Sequence, residues 1–312
     1  MHAREAVAPE RTGHVETVIR PRLPVDLSLT LWPLGRGARD LSVRADRDGA
    51  WWRATWTPEG PAATRFEQRP GGIHAWAWGP GAAWAIEAAP DLLGARDSLE
   101  SFEPARGLVR DLHRRFPGLR IGRSRAVFEA LLPSIIEQKV VGLEAGASYR
   151  ALLRSWGEAA PGPFALRLPP RPEVVAEKRP FEFHPLGIEA RRALAIREAA
   201  RNAGRLEEAV WMDPPAALDR LRAVPGIGPW TAARVATTAL GDTDAVAVGD
   251  YHLPHIVAWA LAGEPRGTDA RMLDLLEPYR GHRARVLRLL LAAGIEAPRF
   301  GPKMPVRSIA RW

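Results

Sequence analysis

The run VPGIGPWTA, Val224 to Ala232, decides how this chain folds. Upstream, DPPAALDRLRA predicts a short helix over Pro214 to Ala223: Asp213 suits the N-cap, Pro214 the first turn, and Leu218 and Leu221 share one face. Pro225-Gly226-Ile227-Gly228 then reverses the chain, because two glycines allow backbone angles that a side chain forbids. Pro229 opens the next helix, predicted over Pro229 to Leu240, whose apolar Trp230, Ala233, Val235 and Leu240 run to a stop at Gly241. Two helices joined by a Gly-x-Gly bend leave bare N–H groups at a helix N-terminus, a seat for a phosphate, so the hairpin points to DNA.

Composition points the same way. The 312 residues carry a net charge of +8, and the sequence pI is about 10.7, a balance that suits a polyanionic partner. Of 44 basic residues only Lys139, Lys178 and Lys303 are lysine; a chain rich in Arg, Ala, Gly and Pro also reflects a GC-rich genome, so charge supports a nucleic-acid partner without establishing it. The sequence contains no cysteine, which excludes disulfides, thiolate zinc sites, cysteine-ligated clusters and cysteine nucleophiles. The charged start MHAREAVAPERTGH does not read as a secretory signal, and no apolar run approaches the roughly 20 residues that span a bilayer. These features predict a soluble cytoplasmic protein, bacterial and nucleoid-associated through DNA, with no membrane partner, and a monomer.

The first hundred residues read as β-rich. PVDLSLTLW alternates Val25, Leu27, Leu29 and Leu31 with polar residues, and AWWRATWT, GIHAWAWG and AAWAIEA continue the pattern between Gly, Pro and Asp turns. Seven of the twelve tryptophans precede residue 85, a count that suits the core of a thin sheet better than a base-stacking platform. From about Pro104 the pattern turns helical, with helices predicted at 104–116, 125–142, 143–156, 188–203, 214–223, 229–240, 251–262, 269–276 and 282–293. GEAAPGPFALRLPPRPE reads as a surface connection, and the tail from Ala297 shows little periodicity.

Chemistry enters with Asp250 in VAVGDYHLP. An aspartate before the helix YHLPHIVAWALA serves as its cap, and most aspartates in that setting do nothing more. If the second hairpin helix and this helix pack side by side, however, the carboxylate stands near the phosphate-gripping backbone, beside Trp230.

Residues 113 to 295 resemble the helix-hairpin-helix–GPD superfamily of DNA glycosylases, and among them the 3-methyladenine DNA glycosylase II type. The residues that carry the resemblance are VPGIGPWTA, the aspartate of VGDYHLP, the helix segment AVFEALLPSIIEQKV and the turn LGIEARRALAI. The resemblance implies an α+β chain: a β-rich N-terminal domain over 1–103, then an all-α helix-hairpin-helix glycosylase core over 104–312, with the hairpin at 214–240 and the aspartate helix at 250–262. It assigns Asp250 as the catalytic carboxylate, which stabilises an oxocarbenium-like sugar and aims water as an alkylated purine departs. Trp230 stands where lyase relatives carry a Schiff-base lysine, which implies a monofunctional enzyme. Trp230 also reads as a wall of the base pocket, where an indole favours a cationic base by about 0.5–2 kcal/mol. Gly226, Ile227, Gly228 and Thr231 of the hairpin, Gln138 and Lys139 near the gap left by a flipped base, and Arg191 are the expected DNA contacts.

This chain departs from the pattern at Arg234, one turn after Trp230, where a pocket aromatic can occur, and in VLRLLLAAG, which offers leucines. Two readings stay open: Tyr251 or a tryptophan completes the aromatic wall, or the lesion is neutral, such as hypoxanthine or ethenoadenine. The implied partner is double-stranded DNA containing damaged bases. No organic cofactor is implied, although the resemblance allows an alkali cation at the hairpin carbonyls. His252 and His255 lack the Glu of H-E-x-x-H, so a metal is not expected there. The alternative from another class is a non-catalytic helix-hairpin-helix DNA clamp.

Overall fold

The computed structural model describes residues 13–298. An antiparallel five-stranded sheet is built from β1 (His14–Ile19), β2 (Val43–Ala45), β3 (Trp51–Thr57), β4 (Gly60–Arg69) and β5 (Gly72–Trp78), in the order β1-β5-β4-β3-β2. Alternation along β3 sends consecutive tryptophans to opposite faces. Trp51 packs with Phe66 and Ile73 beneath two helices, whereas Trp52 stacks on Trp78 and on Phe164 with ring centroids 5.3 and 4.8 Å apart. Their indole N–H groups are satisfied by Ser28 and Asp46. The tryptophan cluster is therefore core rather than a stacking platform for bases.

Two segments read as strands are helices. α1 (Leu27–Leu31) starts where the Asp26 carboxylate accepts from the Leu29 N–H at 2.8 Å, and Leu27, Thr30 and Leu31 are buried at helical spacing. α2 (Ala82–Leu92) follows Gly81 and buries Ala82, Ala85, Ala88, Ala89 and Leu92. Its strand-like start belongs to a run with five alanines in the eight positions Ala82 to Ala89, and alanine favours helix most strongly. α2 lies across β1, β4 and β5.

Helices dominate thereafter: α3 (Leu108–Arg115), α4 (Val127–Ile136) and α5 (Gly142–Trp156). The Pro-rich connection contains a small hairpin, β6 (Glu158–Ala159) with β7 (Arg167–Leu168), which packs under β3. The short α6 (Pro172–Glu177) and α7 (Pro180–Phe183), which periodicity did not reveal, lead to α8 (Ala190–Arg201), α9 (Ala203–Glu207), α10 (Pro214–Arg222) and α11 (Pro229–Val235). The helix expected to run to Leu240 keeps α geometry only to Val235; Ala236–Leu240 is a π turn that ends at Gly241. α12 (Leu253–Ala262), α13 (Asp269–Leu276) and α14 (Arg283–Ala292) complete the described residues. The tail beyond residue 298 lies outside them.

Two helical cores result. One gathers α4, α5, α8 and the hairpin through residues such as Leu131, Ile135, Leu152, Ile196, Leu221 and Val235. The other gathers α3, α12, α13 and α14 around Val257, Met272, Leu276 and Val286. The chain passes from the first to the second between α11 and α12, so residue 250 falls at their seam.

Candidate active site

The hairpin is held by its apolar residues. Leu221, Val224 and Ile227 are buried, and the Ile227 N–H donates to the Val224 carbonyl at 3.1 Å to close the turn. Gly226 has φ +89°, and a Cβ there would lie 2.5 Å from the Ala195 Cβ of α8. Glycine is required on both counts, for conformation and for space. α11 then starts with no side-chain cap, so its first N–H groups are left to a ligand or to water.

Asp250 follows Gly249, which has φ +91° and whose N–H is braced by both carboxylate oxygens of Asp269 at 3.1 Å. Its Oδ1 accepts from the backbone N–H groups of His252 (2.8 Å) and Leu253 (3.0 Å), which caps α12. Its Oδ2 accepts from the indole Nε1 of Trp230 at 2.8 Å. That one bond joins the start of α11 to the start of α12 across the seam. Asp250 and Trp230 are both half-buried, so the pair lies at the surface rather than in the core.

Trp230 is covered on one face. The Arg234 guanidinium carbon lies 5.3 Å from its ring centroid, and Arg234 Nη2 donates to Glu137 at 2.6 Å. Burial lowers the Arg234 pKa, opposed by the charges of Glu137 and Asp250. Glu137 also meets Arg36 Nε at 2.8 Å. Arg36 and Glu137 were not picked out from sequence. Their contacts cross about a hundred positions of chain, and no local periodicity encodes such a pairing.

The other candidates divide. Gln138 reaches the hairpin: its Nε2 donates to the Gly226 carbonyl (3.0 Å) and to Thr231 Oγ1 (2.9 Å). Thr231 and Ile227 are buried, so their side chains hold the hairpin and only their backbone faces outward. Gly228 is exposed, and a Cβ added there would meet nothing within 4 Å. Lys139 is exposed and sits at φ +55°, an uncommon angle for a residue with a side chain. Arg191 is exposed one turn before Ala195 on α8, on the side against which the hairpin packs. Its neighbour Arg192 is buried and donates to the Ile136 carbonyl at 2.6 Å, a structural role. Tyr251 is 79% exposed and meets His252 and His255 edge-on. Among the described residues it makes no ring contact with Trp230, so it does not extend that wall. His255 Nδ1 accepts from the Gly267 N–H, and no group of three or more His, Asp or Glu among the described residues could hold a metal. No helix among them is long and apolar enough to cross a membrane.

No protein-family model matches the chain, and no curated protein matches it. Solved structures do. The 3-methyladenine DNA-glycosylase from Archaeoglobus fulgidus superposes with a TM-score of 0.75 at 20% identity, over 89% of this chain and 97% of that one. The 8-oxoguanine glycosylase/lyase of Clostridium acetobutylicum, without ligand, gives 0.68 at 14% identity, over 88% and 95%. A Schizosaccharomyces pombe 3-methyladenine DNA glycosylase bound to abasic DNA gives 0.51 at 17%, over 63% and 96%. The chain therefore shares the fold of these DNA glycosylases.

Proposed function

We propose that this protein is a monofunctional DNA N-glycosylase of base excision repair, which flips a damaged purine from the duplex and hydrolyses its N-glycosidic bond. The observation that carries the reading is the Asp250 carboxylate, fixed by three donors beside the mouth of the glycine hairpin. A preorganised negative charge at that point stabilises the positive charge that develops on the deoxyribose as the C1′–N bond lengthens. Water then adds at C1′, its proton is taken up by the departing base or solvent, and the products are the free base and an abasic site. Extrusion costs a few kcal/mol, offset by phosphate contacts at the hairpin and by the basic surface.

Among the described residues the donors to Asp250 are two backbone amides and an indole N–H, with no side-chain amine, which supports hydrolysis rather than strand cleavage through a Schiff base. Borohydride should accordingly trap no protein–DNA adduct. An alkali cation at the hairpin carbonyls belongs to the same reading. The Gly226 carbonyl oxygen, which accepts from Gln138, keeps a second lone pair and would be among the groups that hold such an ion.

The test is base release from damaged duplexes by the wild-type chain and by Asp250→Asn. The variant should lose release by at least about a hundredfold, as loss of a preorganised electrostatic group does, while duplex binding persists. Equal binding with no release by either protein would favour a non-catalytic clamp.

A further inference from the structure

The indole of Trp230 is the surface on which a positively charged base would gain most, and one face of it is occupied. Arg234 follows Trp230 by one helical turn, so both side chains project from the same face of α11. Its guanidinium lies over the ring at 5.3 Å, which places a permanent cation on that face and beside any base stacked on the indole. A second positive ring there meets like charge instead of a bare π face.

The guanidinium is also held in place. Nη2 is bound to Glu137 at 2.6 Å. The other Glu137 oxygen is in charge contact with Arg36, whose side chain is 9% exposed and whose Nη1 donates to the carbonyls of Pro33, Leu34 and Gly35. Arg234 is thus braced by a chain of contacts running from the loop after α1 through the end of α4 to α11. Its Nε and Nη1 groups make no hydrogen bond among the described residues. The N–H groups that remain on this half-buried guanidinium are open to acceptors, and Nη1 with the second hydrogen of Nη2 forms the two-donor edge that reads a purine oxygen and ring nitrogen.

Resting on the glycosylase reading above, we infer that the flipped base is a neutral, oxygen-bearing purine lesion, read by Arg234, and not a cationic N-alkylpurine. Arg234 is the specificity-determining residue, and the Arg36–Glu137 pair positions it.

The experiment compares single-turnover release of hypoxanthine from a defined duplex with release of 3-methyladenine from a methylated duplex. The wild-type chain, Arg234→Tyr and Glu137→Gln are assayed, and circular dichroism checks that each variant folds. Arg234→Tyr should slow hypoxanthine release by about 10- to 100-fold, the range for loss of a two-point base contact, and should raise the ratio of 3-methyladenine to hypoxanthine release by the same order. Glu137→Gln, which loosens the guanidinium, should shift the ratio in the same direction by less, and carries the test if the tyrosine variant does not fold. Equal slowing of both bases, or wild-type release of 3-methyladenine without hypoxanthine, would overturn the inference and leave the glycosylase reading standing. Release of neither base by the wild-type chain would remove both.

Discussion

The bond from the Trp230 indole to Asp250 is the smallest unit on which the proposed chemistry depends. It aims one carboxylate oxygen while the backbone of α12 aims the other. A hydrogen bond to a charged group contributes about 1.5–3 kcal/mol. Trp230→Phe keeps a ring beneath Arg234 but removes the N–H, so it should slow base release by about 10- to 100-fold with little change in duplex affinity. A rate equal to wild type would show that the indole is only a wall. Asp250 and Trp230 were legible in the sequence because each adjoins a recognisable turn. Glu137 was not, because its importance comes from Arg36 and Arg234, which reach it from distant parts of the chain.

Among the elements, the first hairpin helix and the turn after it were readable to within a residue because caps and turns are local. Asp213 caps α10 and accepts from the Ala216 N–H at 3.0 Å, and Gly226 adopts the positive φ that the turn requires. Gly226→Ala should destabilise the fold by about 1–3 kcal/mol in a denaturant titration and weaken duplex binding, since the added methyl collides with Ala195 at a strained φ. Gly204→Ala in α9, with open space around it, serves as the contrast and should be neutral or stabilising by up to about 1 kcal/mol. The same local logic failed at α1 and α2. Leu27, Leu29 and Leu31 alternate like a strand, but the Asp26 cap and burial of Thr30 select a helix. Short apolar runs satisfy both periods, and only the neighbouring layer decides between them.

At the scale of the whole molecule, the second helical core is tied to the segment before α3 by Asp97 and Arg285, an ion pair almost wholly buried. His282 lies beside it: its Nδ1 faces the Arg285 Nε and its Nε2 meets Ser101 at 2.8 Å. Burial first, then the Arg285 charge, lowers the His282 pKa; burial, Arg285 and Arg120 lower that of His113. Both rings are therefore held neutral in the fold, whereas in the unfolded chain they take up protons below their ordinary value of about 6.5. Their contribution is full above that pH and is lost as pH falls through and below it. The melting temperature should drop between neutral pH and about pH 5.5, and His282→Gln should flatten that part of the curve. An unchanged slope in the variant would place the acid sensitivity elsewhere.

By itself the sequence determined the helix-hairpin-helix, the aspartate behind it and the run of helices after Pro104, because each rests on contacts between near neighbours along the chain, and the excess of positive charge, which is composition alone. Tertiary structure alone decided that α1 and α2 are helices, that Gln138 and Thr231 brace the hairpin, that Tyr251 stands apart from Trp230, and that Arg234 is pinned across the indole. These are outcomes of packing between segments far apart in sequence, where burial and charge pairing outweigh local propensity.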